Sequence, residues 1–378
     1  MAIFKKKKPQ NDESRYMASQ WKLMWIKLKK HKLARFSMII LAIMYAGALF
    51  ADFLAPYGLE DFTGLYTDTA PTTVHWRDEN GSFSRPFVYK LQKVNDRKTY
   101  SVIISEDTSA KYYVKFFAKG NEYKLLGFIP CDIHLYGLVD EQGVPNTEAR
   151  INIFGADSVG RDIFSRILYG SRVSLTIPFV SAAISFVLGI LLGGISGYFG
   201  GWIDNLIQRI IEVISAIPSI PLWLALSAAI PPGISVTAMY LYITVILSFI
   251  GWTGLARTVR GRFIALRKED FVMAAKLAGV SDFKIIVKHM VPGFLSYLIV
   301  SLTLGIPNSI LGETSMSYLG LGMKAPATSW GVLLKETEAL ATVAQCPWKM
   351  IPLIFVIIAV LAYNFLGDGL RDAADPYK

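Results

Sequence analysis

The chain has 378 residues, of which 53% are apolar and 18% charged, with a formal net charge of +10 and a mean hydropathy of +0.39. These values exclude an ordinary soluble enzyme and place the chain among polytopic membrane proteins. The excess positive charge gathers at the N-terminus and in one later loop, beside apolar runs, which is a membrane-topology pattern and not a nucleic-acid footprint.

Residues 1–35 read as a cytosolic, basic, amphipathic N-terminus. Lys5 to Lys8 are followed by a segment, Trp21 to Arg35, whose Trp and Leu side chains suit the lipid headgroups while its Lys side chains face anionic lipid. The apolar run over 36–56 has the roughly 20 residues that a span requires. The run starts only near Phe36 and is long enough to span, so it reads as an uncleaved first helix and not a signal peptide.

Residues 57–150 turn polar and rich in β-formers: VHW from Val74, FVY from Phe87, YSVII from Tyr100, YYVKFF from Tyr112 and YKLL from Tyr123, with turns expected at Asn80-Gly81 and Gly120-Asn121. With the N-terminus inside, one crossing puts this insertion outside, where long domains escape the positive-inside count. Cys131 lies here and Cys346 in a later loop on the same side. Two cysteines allow a disulfide, but nothing in the sequence brings them together, and free cysteine is a common small apolar filler.

From Phe154 to Leu175 a charged stretch precedes a long apolar run. Its Asp and Arg residues suffice physically as an interfacial collar that anchors a helix end. The second span, about Val173 to Gly197, carries Gly189, Gly193, Gly197 and, just beyond it, Gly201 at four-residue spacing, baring one helix face for close backbone approach. A third span, about Trp202 to Ala229, has Asp204, Arg209 and Glu212 near its cytosolic end and is broken midway by Pro218 and Pro221. Arg209 and Glu212, three apart, either pair locally or mark a pathway. Pro231-Pro232-Gly233 makes a turn into the fourth span, about Ser235 to Leu255.

The basic loop 257–292 reads as two short helices with a hinge. Asp270 lies near the start of the first, where Phe271, Ala274, Ala275 and Ala278 form a narrow stripe of mostly small side chains; Gly279 stops it. Ser281 caps the second, Asp282 suits its first turn, and Phe283, Ile286, Val287 and Met290 form its apolar face before Pro292. A fifth span, about Gly293 to Gly312, leads to Glu313, which either faces a conduit or caps the helix end. The sixth, about Met350 to Leu366, ends in a polar tail containing Asn364, Gly367, Asp368, Gly369, Leu370, Arg371, Asp372, Asp375 and Pro376. His31, His75, His134 and His289 are isolated in sequence and read as surface or interfacial residues, and no phosphate-cradling G-x-x-x-x-G-K-S/T loop occurs.

Several of these stretches resemble the permeases of bacterial ATP-binding-cassette importers. Ala274, Ala275, Gly279 and Pro292 match their cytoplasmic loop E-A-A-x3-G-x9-I-x-L-P, with Met273, His289 and Val291 standing where that motif has Glu, Ile and Leu. Gly155, Asp157, Gly160, Arg161, Asp162, Ser165, Arg166, Tyr169, Gly170, Arg172 and Ser174 resemble the signature of the oligopeptide/dipeptide/nickel-type permeases, with Ala156 in place of the usual Thr. The segment from Glu313 and the terminus containing Asp368, Arg371 and Asp372 resemble two further family motifs.

The resemblance, to a C-type permease subunit, implies an all-α polytopic membrane protein. It has six transmembrane helices of the type I importer kind, a β-rich extracytoplasmic insertion between the first and second, and a five-span core over 151–378. It implies a bacterial inner-membrane location with both termini cytosolic, and import of peptides without a cofactor or active site in this chain. ATP and Mg would be used by two partner ATPases; a second homologous permease, an external solute-binding protein and the lipid bilayer complete the partners, with no nucleic acid. The insertion then serves either as a cap or as a docking surface for the binding protein. Import of a nickel chelate or another small solute has the same signature, and a membrane-anchored sensor module is the alternative from another class.

Overall fold

The computed structural model describes residues 20–78, 81–95, 102–146, 148–231, 233–324 and 326–374. Lys5 to Lys8, Asn80, Tyr100, Pro232, Asp375 and Pro376 lie outside them.

The N-terminal part is helical: α1 (Gln20–Lys30), α2 (Lys32–Leu49) and α3 (Ala51–Leu54). His31, read from sequence as a surface or interfacial residue, caps α2: its Nδ1 accepts from the Ala34 N–H at 3.2 Å. Four antiparallel strands follow in the order β1-β2-β3-β4: β1 (His75–Arg77), β2 (Phe83–Asn95), β3 (Val102–Leu125) and β4 (Ile129–Val139).

Three of the expected short strands merge into β3. Gly120-Asn121 is not a turn but lies inside it, at a register shift between Lys119 and Tyr123. Gly120 is needed there because a Cβ would come within 2.6 Å of the His134 ring. The chain turns instead at Leu126 and Gly127, with φ of +55° and +85°. β4 was not among the expected strands. Its His134, Tyr136 and Leu138 alternate inward, and Tyr136 and Leu138 join Val88, Tyr112, Ala149 and Ile151 in the core beneath the sheet. His134 is therefore buried and not a surface residue, with Nδ1 2.6 Å from the Ala55 carbonyl and Nε2 3.1 Å from that of Asn121.

Helix α4 (Ile163–Phe199) is the axis of the membrane part. Asp162 caps it, accepting from the Ser165 N–H at 2.7 Å and Oγ at 2.6 Å. At 37 residues it is about 55 Å long, more than a bilayer core needs. It ends where Gly200 and Gly201 take φ of +68° and +59°.

α5 (Gly201–Ala216) and α6 (Ser219–Ala228) are bent by 93° at the Pro218 break. α7 (Val236–Leu266) is capped by Ser235, whose Oγ accepts from Ala238 N–H at 3.2 Å. α8 (Asp270–Leu277) and α9 (Asp282–Ile285) form the loop, and the chain passes through a π-turn and a 3-10 turn into α10 (Leu295–Tyr318). α11 (Trp330–Lys335), α12 (Leu340–Gln345) and α13 (Ile351–Ala374) complete the chain. Among the described residues, five helical stretches are long and apolar enough to cross a membrane, or six if the bent pair counts as one span.

The core centres on Trp330, fully buried with Ile163, Ile167, Leu175, Ile306, Ile310 and Val356. α4 and α7 pack through glycines. A Cβ on Gly189 would come within 2.9 Å of the Leu255 side chain; one on Gly197 would fall 2.6 Å from the Arg260 carbonyl, and one on Gly193 would collide with that of Ala256. Gly201 does not belong to this row. A Cβ there would meet nothing within 4 Å, because the helix has already ended.

Candidate functional site

The loop between α7 and α10 presents two faces. In α8, Val272 and Ala275 point inward to a cluster with Tyr198, Phe263, Ile285 and Met290. Phe271, Met273, Ala274, Leu277 and Ala278 face out, with Leu277 88% exposed. The stripe read from sequence is thus divided: Ala275 belongs to the loop's own core, and Ala274 to its surface. An eight-residue helix cannot bury Val272 and Ala275 and keep their neighbours on the same side.

Gly279 takes φ +74°. Its N–H donates to Lys276 O at 3.0 Å, and Val280 N–H to Ala275 O at 3.1 Å, a Schellman-type stop. Asp270 lies in the first turn of α8, and Pro292 in the 3-10 turn that leads into α10. Beyond α9 the π-turn Ile286–Met290 rotates the side chains. Ile285, Ile286 and Met290 go inward while Phe283, 70% exposed, and Val287 face out, so the four-residue face expected from sequence is split as well.

Tyr198, in the last turn of α4, fixes the loop to the helix. Its hydroxyl donates to Asp282 Oδ1 at 2.5 Å, and Lys276 Nζ lies 4.6 Å from its ring centre. Arg260 grips Asp204 bidentately at 2.5 and 2.6 Å, tying α7 to α5 nearby. Arg209 and Glu212 pair at 2.6 Å on the exposed side of α5.

At the other end, the charged stretch before α4 is the hub of an ion network. Asp157 accepts from Val159 and Arg161 N–H at 2.9 Å, from Arg161 Nε at 2.7 Å and from Arg166 Nη1. Arg166 also reaches Glu336 at 3.3 Å, and Lys349 joins Glu336 at 3.2 Å to Asp68 at 2.5 Å. Burial pushes the Asp157 carboxyl up, but the Arg166 and Arg161 guanidinium groups and the backbone donors hold it below the ordinary carboxylate value. Asp162 has the opposite balance: burial pushes it up to about 6 against the Ser165 hydrogen bonds.

Gly160 takes φ +89°, and a Cβ there would strike the Thr63 carbonyl. Arg172 binds Asp52 Oδ2 at 2.6 Å and the Ala48 carbonyl at 2.8 Å, joining α4 to the first span. Sequence reading missed Glu336, Lys349 and Asp68; nothing local marks residues whose partners lie so far along the chain.

Glu313 neither faces an open conduit nor caps a helix end. It is fully buried and accepts from Ser317 Oγ at 2.7 Å and Ser174 Oγ at 3.1 Å. Ser174 Oγ in turn accepts from the Trp330 N–H at 3.0 Å, which ties α4, α10 and α11 together.

In α13, Asp368 and Arg371 are exposed, and Asp372 lies 3.7 Å from His31 Nε2. Cys131 and Cys346 are free thiols, so the disulfide is not formed. A cleft of about 290 Å³ opens between α4, α6, α7 and α10, with Ser185, Trp223, Ser301, Asn308 and Ser309 among its walls. Its lining carries no charged side chain.

Long apolar helices packed on a glycine-faced axis, with an outward-facing apolar loop bolted to that axis, are the build of a polytopic membrane protein. The chain belongs to the family described as "Binding-protein-dependent transport system inner membrane component", which matches residues 189–377. Residues 19–71 match the N-terminal TM domain of oligopeptide transport permease C.

Among similar proteins, the Bacillus subtilis (strain 168) dipeptide transport system permease protein DppC is 39% identical over 59% of this chain and 68% of its own. The same organism's oligopeptide transport system permease protein OppC is 35% identical over 59% of this chain and 71% of its own. The glutathione transport system permease protein GsiD of Escherichia coli O6:K15:H31 (strain 536 / UPEC) is 40% identical over 65% of this chain and 78% of its own. A chain of the inward-facing MetNI methionine ABC transporter aligns over 56% of this chain and 98% of its own, with 20% identity and a TM-score of 0.44.

Proposed function

We propose that this chain is the C-type permease subunit of an ATP-driven peptide importer, forming half of a translocation path and coupling it to ATPase subunits. The peptide class rests on the dipeptide, oligopeptide and glutathione permeases that it resembles over most of their length. The uncharged cleft between α4, α6, α7 and α10 suits a ligand recognised through its backbone and not through a fixed charge.

The observation that carries the coupling role is the outward apolar surface of the loop, with Phe271, Met273, Leu277, Phe283 and Val287 exposed among Lys268, Lys276, Lys284 and Lys288. An exposed apolar patch rimmed by charge is a partner surface. Here the partner is an ATPase groove. Its closure would be delivered to α4 through Tyr198 and levered into the spans.

In this reading the bent pair counts as the third of six spans, the first covers 36–56, and residues 151–378 form the core. Both termini and loop 257–292 are cytosolic, while the 57–150 insertion with its sheet lies outside, where it contributes to docking a solute-binding protein. ATP and Mg are used by the two ATPases, and a second homologous permease completes the path. Gly189, Gly193 and Gly197 serve packing, Arg209 and Glu212 a surface ion pair, and the Asp157 network holds the outer end of α4. Co-purification tests the assembly: two ATPase chains and a second permease should accompany this chain, and its isolation alone from a host expressing all four would sink the proposal.

A further inference from the structure

The sheet bears on the first span in a way that the transport reading does not use. His134 of β4 is seated on the Ala55 carbonyl, just past the end of α3. From His134 back to Ile129 the strand runs five residues, about 17 Å. From Ala55 back to Gly47 the helical segment covers about 12 Å. The β3–β4 hairpin therefore does not rise away from the first span but returns alongside it, and Leu125 lines a groove with Ile43, Met44, Gly47, Phe50 and Phe53.

That groove, about 780 Å³, is closed on its other side by Leu168 and Phe355. Its polar lining is Ser171, whose hydroxyl is already donated to the Ile167 carbonyl at 2.7 Å. The rest of the lining is apolar. At the hairpin tip Leu126, Phe128 and Ile129 are exposed, Phe128 at 71%, and Phe117, itself exposed, lies 6.1 Å from Phe53 of α3. A sheet standing in water would leave these side chains unsatisfied. The groove is also continuous with the exposed apolar stripe of α2, formed by Phe36, Ile39 and Ile43, which on a membrane span faces lipid.

We propose that the β3–β4 hairpin is a membrane anchor whose tip, Leu126 to Ile129, dips into the outer leaflet, and that the groove behind it holds one acyl chain of a membrane phospholipid. The sheet is then held at a fixed height on the bilayer by the His134 contact and by lipid, not by a flexible tether. The assignment to the outer leaflet rests on the outside placement of the insertion.

The test uses the assembled transporter, with both native cysteines changed to Ser, in phospholipid vesicles that contain a few per cent of nitroxide-acyl phospholipid. A fluorophore on Phe128→Cys should be quenched several-fold more strongly by the nitroxide than one on Phe83→Cys, which starts β2. Equal quenching at the two positions, or full access of aqueous iodide to position 128, overturns the anchor. Cross-linking of position 128 to the second permease without lipid quenching assigns the surface to a subunit contact and overturns it equally.

Gly47 faces Leu168 with room to spare, the nearest atom to a Cβ lying at 3.8 Å, so Gly47→Phe should fill the groove. Native mass spectrometry should then show one fewer retained phospholipid than wild type; an unchanged number overturns the acyl-chain occupant. Labelling of Phe83→Cys by a membrane-impermeant thiol reagent in intact cells reports sidedness separately. Lipid quenching without outside labelling would leave the hairpin in the bilayer but refute the topology.

Discussion

Gly193 offers a sharp test of the helix packing. A methyl placed on it would overlap the Ala256 carbonyl oxygen and lie 2.9 Å from the Ala256 Cα. These are backbone atoms in the middle of α7, and no rotamer change relieves them. α7 must move away from α4, loosening the contacts of Leu255, Ala256 and Phe263. Overpacking of this kind costs about 1–3 kcal/mol, which at 1.4 kcal/mol per decade is a roughly 5- to 150-fold fall in the folded-to-unfolded ratio.

Gly254 of α7 is the matched control: nothing lies within 4 Å of its Cβ position, and Ala there should be neutral or stabilising by up to about 1 kcal/mol through helix propensity. The assay is the thermal unfolding of the purified complex in detergent, with assembled yield as a second readout. Gly193→Ala should lower the midpoint and the yield while Gly254→Ala does not, and Gly193→Leu should abolish assembly. Equal midpoints for the two alanine variants would refute the close-packing account.

Three other outcomes follow from the geometry. Asp162 is raised from 3.8 to about 6. Its protonated form is favoured in the fold, so its contribution is fully present below the unfolded value, declines as pH rises through about 6, and amounts to about 3 kcal/mol lost by neutrality. Asp162→Asn keeps a capping oxygen and should flatten the fall in thermal stability between pH 4 and 7; an unchanged slope would contradict the assignment. At the loop, Ala275→Trp should expose the segment to limited proteolysis because Ala275 is part of its core, whereas Ala274→Trp should leave it resistant and lower ATPase retention; identical behaviour would remove the two-faced description. Gly279→Val should disturb the same loop through backbone strain of about 1 kcal/mol or more at φ +74°, with membrane insertion unaffected, as a protease-protection assay would show.

The long apolar helices and the glycine row were legible because they depend on local properties: apolar length, and a four-residue repeat that lays Gly189, Gly193 and Gly197 on one face. Gly201 was misread because the repeat continues in sequence past the point where Gly200 turns the backbone. In the loop, the positions of Gly279 and Pro292 were readable. The division between Ala274 and Ala275 was not, since it depends on where Tyr198 and Phe263 of other helices stand. The π-turn after α9 likewise rotates Ile286 away from Phe283 without a sequence signal.

β3 and β4 were hidden by their pairing. A strand of 24 residues looks like three short ones until its partners are known, and Gly120 looks like a turn until His134 is seen beside it. Glu313 illustrates the same limit: its serine partners lie on α4 and within α10, and only the fold brings Ser174 to it.

The central claim is that the outer face of the loop carries ATPase coupling and that Tyr198 passes it to α4. Peptide uptake and ATP hydrolysis, measured together in vesicles at matched permease content, test it most directly with two variants. Leu277→Glu combined with Phe283→Glu puts charge on the exposed patch and should lose both ATPase retention and uptake. Tyr198→Phe removes the hydroxyl held by Asp282 but keeps the ring under Lys276, and should retain the ATPases while uptake per ATP falls. If the doubly charged variant keeps its ATPases and transports at the wild-type rate, the loop is not the transmission element and the account is wrong.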